Sequence, residues 1–79
     1  LLDDKELIIE FSEKVNSLPQ KIKKFVISKE EKKVVLKFKK SQISTADVIK
    51  AFVEKKFKLK EITTKESDLE DIFIKLLKE

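Results

Sequence analysis

The chain has 79 residues and a formal net charge of +4, and all 19 of its basic residues are Lys. It contains no Cys, His, Gly or Met. One small domain is therefore expected, and the composition excludes disulfides, thiol and imidazole nucleophiles, Cys or His metal sites and glycine-rich phosphate loops. Enzyme chemistry would have to rest on carboxylates and lysines, so we predict that the chain is not an enzyme.

Nothing in the sequence resembles a targeting or membrane-spanning segment. No apolar run approaches the roughly 20 residues that a spanning helix needs, and the start lacks the pattern of a signal peptide. A cytosolic chain is therefore expected. Because it begins at Leu1 and has no Met, we interpret residues 1–79 as a single domain cut from a longer protein.

Residues 5–12 fit two patterns. As a strand, they place Leu7, Ile9 and Phe11 on one face. As a helix, they form a stripe that continues to later residues: Leu7, Ile8, Phe11, Val15 and Leu18. We predict a strand, because the later elements need another strand to complete a sheet.

A β-hairpin is predicted next. Residues 13–20 hold the only Pro, Pro19, and are typical of a connection with one helical turn. Residues 22–28 fit an extended segment with Phe25 and Ile27 on one face and Val26 on the other, and residues 33–39 alternate cleanly in polarity, so two strands are predicted. The segment 29–32 between them lacks Asn-Gly or Asp-Gly, which favours a looser four-residue loop.

A helix and a last strand follow the hairpin. Either Ser44 or Thr45 is suited to cap the helix, which ends near Lys55-Lys56. Its predicted buried stripe is Ile49, Phe52 and Val53. Residues 57–64 then predict a strand with a bulge near Lys60-Glu61, where the alternation of apolar residues slips by one.

Residues 67–78, at the end of the chain, predict an amphipathic helix. Apolar residues occupy positions i, i+3, i+4, i+7 and i+8: Leu69, Ile72, Phe73, Leu76 and Leu77. A stripe of this kind needs a sheet or a second helix to cover it.

Together these elements predict an α+β fold. We expect a ferredoxin-like split βαβ variant, in which an antiparallel four-stranded sheet carries two main helices on one face and the first crossover is shortened. The predicted core holds Leu7, Ile9, Phe11, Phe25, Ile27, Val34, Leu36, Phe38, Ile49, Phe52, Val53, Phe57, Leu59, Ile62, Leu69, Ile72, Phe73 and Leu76.

The run at positions 60–74, Lys-Glu-Ile-Thr-Thr-Lys-Glu-Ser-Asp-Leu-Glu-Asp-Ile-Phe-Ile, resembles the closing signature of exporter-type ABC transporter ATP-binding subunits. In that family a strand with an acidic tail leads into P-S-L-E-D/E-V/I-F and a final amphipathic helix. Ser67 and Asp68 stand where the family has Pro and Ser, and both keep a capping side chain. Residues 6–15 resemble the strand that opens the family's C-terminal accessory domain, and Ser17-Leu18-Pro19 resembles its L-P connector.

The resemblance implies a non-catalytic C-terminal accessory or regulatory domain that mediates contacts between subunits or domains. It implies as partners the parent nucleotide-binding domain and the transmembrane transporter subunit, with a homodimer formed through the parent as a further expectation. ATP and Mg belong to the parent ATPase domain, and no cofactor is expected in this fragment. The location implied is the cytoplasmic face of the cell membrane.

Two alternatives stay open: a small basic nucleic-acid-binding domain and a small-molecule-sensing domain of ferredoxin-like type. Fourteen of the 19 Lys lie between positions 21 and 60, as in a phosphate-binding stripe. We nevertheless expect no nucleic-acid partner, because the chain has no Arg and therefore lacks the bidentate guanidinium group.

Two groups of charged residues are candidates for partner contacts. Asp68, Glu70 and Asp71 begin the closing helix, where capping and favourable interaction with the helix dipole already account for them. The second group is basic and suits an acidic protein surface or anionic lipid: Lys21, Lys23, Lys24, Lys37, Lys39 and Lys40.

Overall fold

Four β-strands and one α-helix make up the part of the chain that the structure describes, residues 4–66 of a computed structural model. In chain order they are β1 (Asp4–Phe11), a 3-10 turn (Lys23–Phe25), β2 (Val26–Lys29), β3 (Lys33–Lys39), α1 (Thr45–Glu54) and β4 (Leu59–Glu66). The predicted closing helix lies outside the described residues.

The strands form one sheet in the order β2-β3-β1-β4. Each neighbouring pair is antiparallel. The predicted α+β class and the four-stranded antiparallel sheet are therefore confirmed, as is the strand at residues 5–12 and the hairpin of β2 and β3.

The core lies between one face of the sheet and α1. Alternation in β1 buries Leu7, Ile9 and Phe11, and β3 contributes a matching set, Val34, Leu36 and Phe38. Phe52 of α1 is fully buried, and its ring centroid lies 5.3 Å from that of Phe11. The helix is thus held on the sheet by an aromatic contact in its last turn.

The strand predicted at residues 22–28 begins later than expected. The N–H of Ile22 donates to the carbonyl of Pro19 at 3.3 Å, and the N–H of Phe25 donates to the carbonyl of Ile22 at 3.0 Å. These two turns coil the chain before Val26 and bury Ile22 completely. Pro19 therefore shapes the segment that follows it, which the alternation of apolar residues did not indicate.

Ile27 was predicted to be a core residue, and that prediction is wrong. Val26 pairs with Leu36 and Ser28 pairs with Val35, so Ile27 is an extra residue in β2. A bulge of this kind breaks the alternation of side chains across the sheet. As a result Ile27 is 58% exposed, and Val26 packs against the core in its place.

The buried stripe of α1 is displaced from the predicted one. Phe52 is buried as expected, but Val53 is 54% exposed, so its assignment to the core is wrong. Ile49 is half-buried. Val48 and Ala51 take the core positions instead, because the helix is rotated toward the side that carries them.

The bulge expected near Lys60-Glu61 is confirmed. Glu10 pairs with Glu61 and Phe11 pairs with Leu59, which leaves Lys60 as the extra residue. The strand itself starts at Leu59 rather than at the predicted residue 57, because Phe57 closes the end of α1: its N–H donates to the carbonyl of Phe52 at 3.1 Å.

Candidate functional surface

The sheet face opposite α1 is the surface on which charged side chains are ordered by the strands. We call it the open face; β1, β3 and β4 place on it every second residue. These are Asp4, Glu6, Ile8 and Glu10 of β1, Lys33, Val35, Lys37 and Lys39 of β3, and Glu61, Thr63 and Lys65 of β4.

Acidic residues of β1 lie directly opposite lysines of β3 on the open face. Asp4 pairs in register with Lys39, Glu6 with Lys37, and Glu10 with Lys33. Opposite charges in directly facing positions stabilise a sheet. The predicted lysines Lys37 and Lys39 are both exposed, as a partner contact requires, but they stand beside carboxylates of their own sheet.

The charged rows of the open face extend onto β4, where one facing pair is unfavourable. Glu6 lies opposite Lys65, which repeats the favourable pattern, whereas Glu10 lies opposite Glu61. Like charges in facing positions are destabilising. The row through Ile8 is uncharged, with Val35 on one side and Thr63 on the other.

Lys21, Lys23 and Lys24 are exposed around the 3-10 turn. The Nζ of Lys24 lies 5.2 Å from the centroid of the Phe25 ring, and that ring packs edge-on against Phe38 at 6.1 Å. Phe38 lies on the core side of β3, whereas its neighbours Lys37 and Lys39 lie on the open face, so this contact does not place the first lysine group beside them. Lys40, just after β3, is also exposed.

The acidic candidates Asp68, Glu70 and Asp71 lie outside the described residues. Sequence reasoning missed the acidic residues of β1 as members of the same surface. The sequence does indicate that Glu6 and Glu10 lie on the face of β1 opposite the core, because they alternate with Leu7, Ile9 and Phe11, which are buried. Only the register of β1 with β3 and β4 shows which lysine each one faces.

The charged side chains of residues 4–66 lie outside the buried core. That part of the chain contains no group of three or more acidic residues placed to hold a metal ion, and none of its buried side chains is polar or charged. Its ion pairs are exposed, as between Lys58 and Glu13 at 3.1 Å and between Lys14 and Glu31 at 3.6 Å. Strong activation of a carboxylate or a lysine requires burial or a desolvated partner.

Residues 4–66 line several surface pockets. Three surface pockets have volumes of about 270, 330 and 210 Å³. The second lies between the loop at Pro19 and Lys21 and the α1 residues Ala51 and Glu54. Most of the residues that line the first and third pockets are charged or polar, whereas apolar atoms form more than half of the wall of the second.

No helix in the described part of the chain is long and apolar enough to cross a membrane. Comparison with protein-family models, curated proteins and solved structures gives no match.

Proposed function

We propose that this chain is a non-catalytic accessory domain of an ABC transporter ATP-binding subunit and mediates contacts between subunits or domains. The observation that carries the proposal is the position of β4. This strand runs from Leu59 to Glu66 and pairs with β1, and the family-like Leu-Glu-Asp-Ile-Phe segment starts three residues later, at Leu69. A sheet strand leading into that segment is what the resemblance implies.

The strand order supports the finer fold that we propose, a ferredoxin-like split βαβ variant. β3 and β4 are both antiparallel to β1, which lies between them, so they are parallel to each other and joined through α1. β1 and β2 are related in the same way through β3, and the connection between them holds a 3-10 turn where a second helix is usual. This arrangement corresponds to a shortened first crossover.

In this proposal ATP and Mg bind the parent nucleotide-binding domain, and the domain lies at the cytoplasmic face of the membrane. The exposed, paired charges of residues 4–66 support a contact role rather than a chemical one, since surface charges steer and orient partners more than they add affinity. Neither alternative is favoured by these features, because the lysines of β3 face acids and most residues that line the three pockets are charged or polar.

Removing the domain from the full-length ATPase tests this function. We expect the truncated subunit to bind ATP but to assemble less well with the transmembrane subunit or to show altered ATPase and transport rates. Co-purification, ATP hydrolysis and transport would be measured side by side. The control is a linker of equal length in place of the domain. Unchanged assembly, hydrolysis and transport would refute the proposal.

The lysines around the 3-10 turn extend the proposal to the membrane surface. Each Lys near an anionic bilayer contributes about 1 kcal/mol of attraction. We expect K21Q/K23Q/K24Q to weaken binding to phosphatidylserine vesicles by roughly tenfold or more on that basis. The matched control is K33Q/K37Q/K39Q, which also removes three charges and whose lysines already face Glu10, Glu6 and Asp4. If the triple variant binds the vesicles as tightly as the unaltered chain, these lysines do not contact the membrane and that part of the proposal is wrong.

A further inference from the structure

We infer that the outer edge of β4 pairs with β4 of a second copy of this chain, forming a continuous antiparallel sheet about a two-fold axis at Thr63. This inference names a surface for the proposed contacts between subunits, and rests on that function only for its biological use. The physical argument depends only on the sheet of residues 4–66.

β4 is the sheet edge suited to pairing. Within residues 4–66 the strand order makes β2 and β4 the two edges. β2 has four residues and is interrupted by the bulge at Ile27, whereas β4 has eight. From Glu61 to Glu66 its register with β1 is unbroken, because its own bulge lies before that segment, at Lys60. A long regular edge offers backbone N–H and C=O groups to another strand.

The charges of β4 are self-complementary in one register. If Thr63 faces Thr63 of the second copy, Glu61 lies opposite Lys65 and, by symmetry, Lys65 lies opposite Glu61. Moving the register by one residue places Lys60 opposite Lys65, which is repulsive. Charged residues on an edge commonly prevent pairing; here they exclude a neighbouring register and permit the two-fold one.

The partner copy would also relieve a defect in the single sheet. Glu61 faces Glu10 of its own chain and is exposed. In the two-fold arrangement it gains Lys65 of the second copy on its other side. Each copy also has an uncharged row formed by Val35, Ile8 and Thr63, and the two rows meet at Thr63. Both the charged and the uncharged rows thus continue across the axis.

A charge-swap experiment tests the pairing by sedimentation equilibrium of the 79-residue chain, from micromolar to millimolar concentration. We expect a monomer–dimer equilibrium for the unaltered chain. E61K and K65E should each weaken self-association at least tenfold, because each places like charges opposite one another at both symmetric contacts. Mixed in equal amounts, the two variants should form a heterodimer, and the double variant E61K/K65E should dimerise like the unaltered chain.

Controls separate edge pairing from folding and net charge. E54K and K50E make the same charge changes at exposed positions of α1 and should leave dimerisation unchanged. E61K should still fold, as measured by circular dichroism, because it removes the repulsion from Glu10. A chain that stays monomeric up to millimolar concentration, or a dimer indifferent to the swaps, overturns the inference. Either result leaves the proposed function standing, whereas unchanged assembly after domain deletion removes that function even if the edge pairs.

Discussion

Phe52 and Phe57 lie with their ring centroids 5.2 Å apart and their planes at 80° at the end of α1. The backbone brings them together: the N–H of Phe57 donates to the carbonyl of Phe52 at 3.1 Å, and the N–H of Lys56 donates to the carbonyl of Val53 at 2.9 Å. This pair of bonds is a Schellman motif, which commonly brings an apolar contact between the same two positions. The contact also includes Phe11 of β1, 5.6 Å from Phe57, so it fixes where α1 ends relative to the sheet.

The aromatic contact should show energetic coupling. We expect F52L and F57L each to destabilise the chain, and the double variant to cost about 0.5–1.5 kcal/mol less than the sum of the single variants, the range for a favourable aromatic pair. Urea unfolding followed by circular dichroism suits this chain, which has neither Trp nor Tyr. The control pairs F57L with F38L, near the opposite end of the sheet, and their effects should add within about 0.5 kcal/mol. Simple additivity of F52L and F57L would mean that the two rings contribute independently.

Lys56 occupies a backbone position that favours Gly. Its φ is 64°, in the left-handed region, which costs an L-residue roughly 1–2 kcal/mol. We expect K56G to stabilise the chain by up to about 1 kcal/mol, because Gly adopts this conformation without the steric penalty but loses more backbone entropy on folding. K55G is the control: Lys55 has φ of −90°, so Gly there should destabilise by about 0.5–1 kcal/mol. Equal effects of the two substitutions in thermal melts would contradict the left-handed cap.

Ser44 caps the start of α1, and its neighbour Thr45 does not. Ser44 Oγ accepts a hydrogen bond from the N–H of Asp47 at 3.1 Å. Thr45 Oγ1 is buried and has no hydrogen-bond partner within the described residues. We expect S44A to cost about 1 kcal/mol of unfolding free energy and S44G only a few tenths. T45A should cost less than S44A in the same urea titration; the reverse order would assign the cap to Thr45.

The opposed charges on the open face should be measurable through Lys37. K37E places two carboxylates opposite one another, since position 37 faces Glu6. We expect a loss of about 0.2–1 kcal/mol in low salt, as for facing like charges, and a smaller loss at 1 M NaCl because exposed charges are screened. The control K21E changes an exposed lysine outside the sheet. If both variants lose equal stability at both salt concentrations, net charge rather than the facing carboxylate is responsible.

Local patterns predicted those parts of the fold that depend on neighbouring residues. Strict alternation indicated β3, a hydroxyl before an acidic first turn indicated the start of α1, and the slipped apolar spacing at Lys60 indicated a bulge. Ile27 shows where this reasoning stops. Its bulge is created by pairing with β3, and a run of three apolar residues, Phe25-Val26-Ile27, does not reveal which one will be extra.

For the candidate surface, too, the sequence predicted which residues are exposed but not which residues face one another. The sequence predicted exposed lysines, and Lys37 and Lys39 are exposed, because they alternate with apolar residues of a strand. It did not predict that Glu6 and Asp4 would face them. Contacts between β1 and β3 depend on register, and residues some 30 positions apart in the chain carry no local signal of their pairing.

The rotation of α1 gives the most direct test of its packing. The helix carries apolar residues around more than half of its circumference, and the sequence analysis placed Val53, not Val48, in the core. Val48 is fully buried and Val53 is 54% exposed. We expect V53K to change stability by less than about 0.5 kcal/mol, since it is a surface substitution, and Lys is the better helix former. V48K should cost more than about 4 kcal/mol, because it buries an unpaired charge. Both variants have the same net charge, so their thermal melts can be compared directly. A V48K variant as stable as the unaltered chain, or a V53K variant that does not fold, would mean that the Val53 face of α1 packs on the sheet.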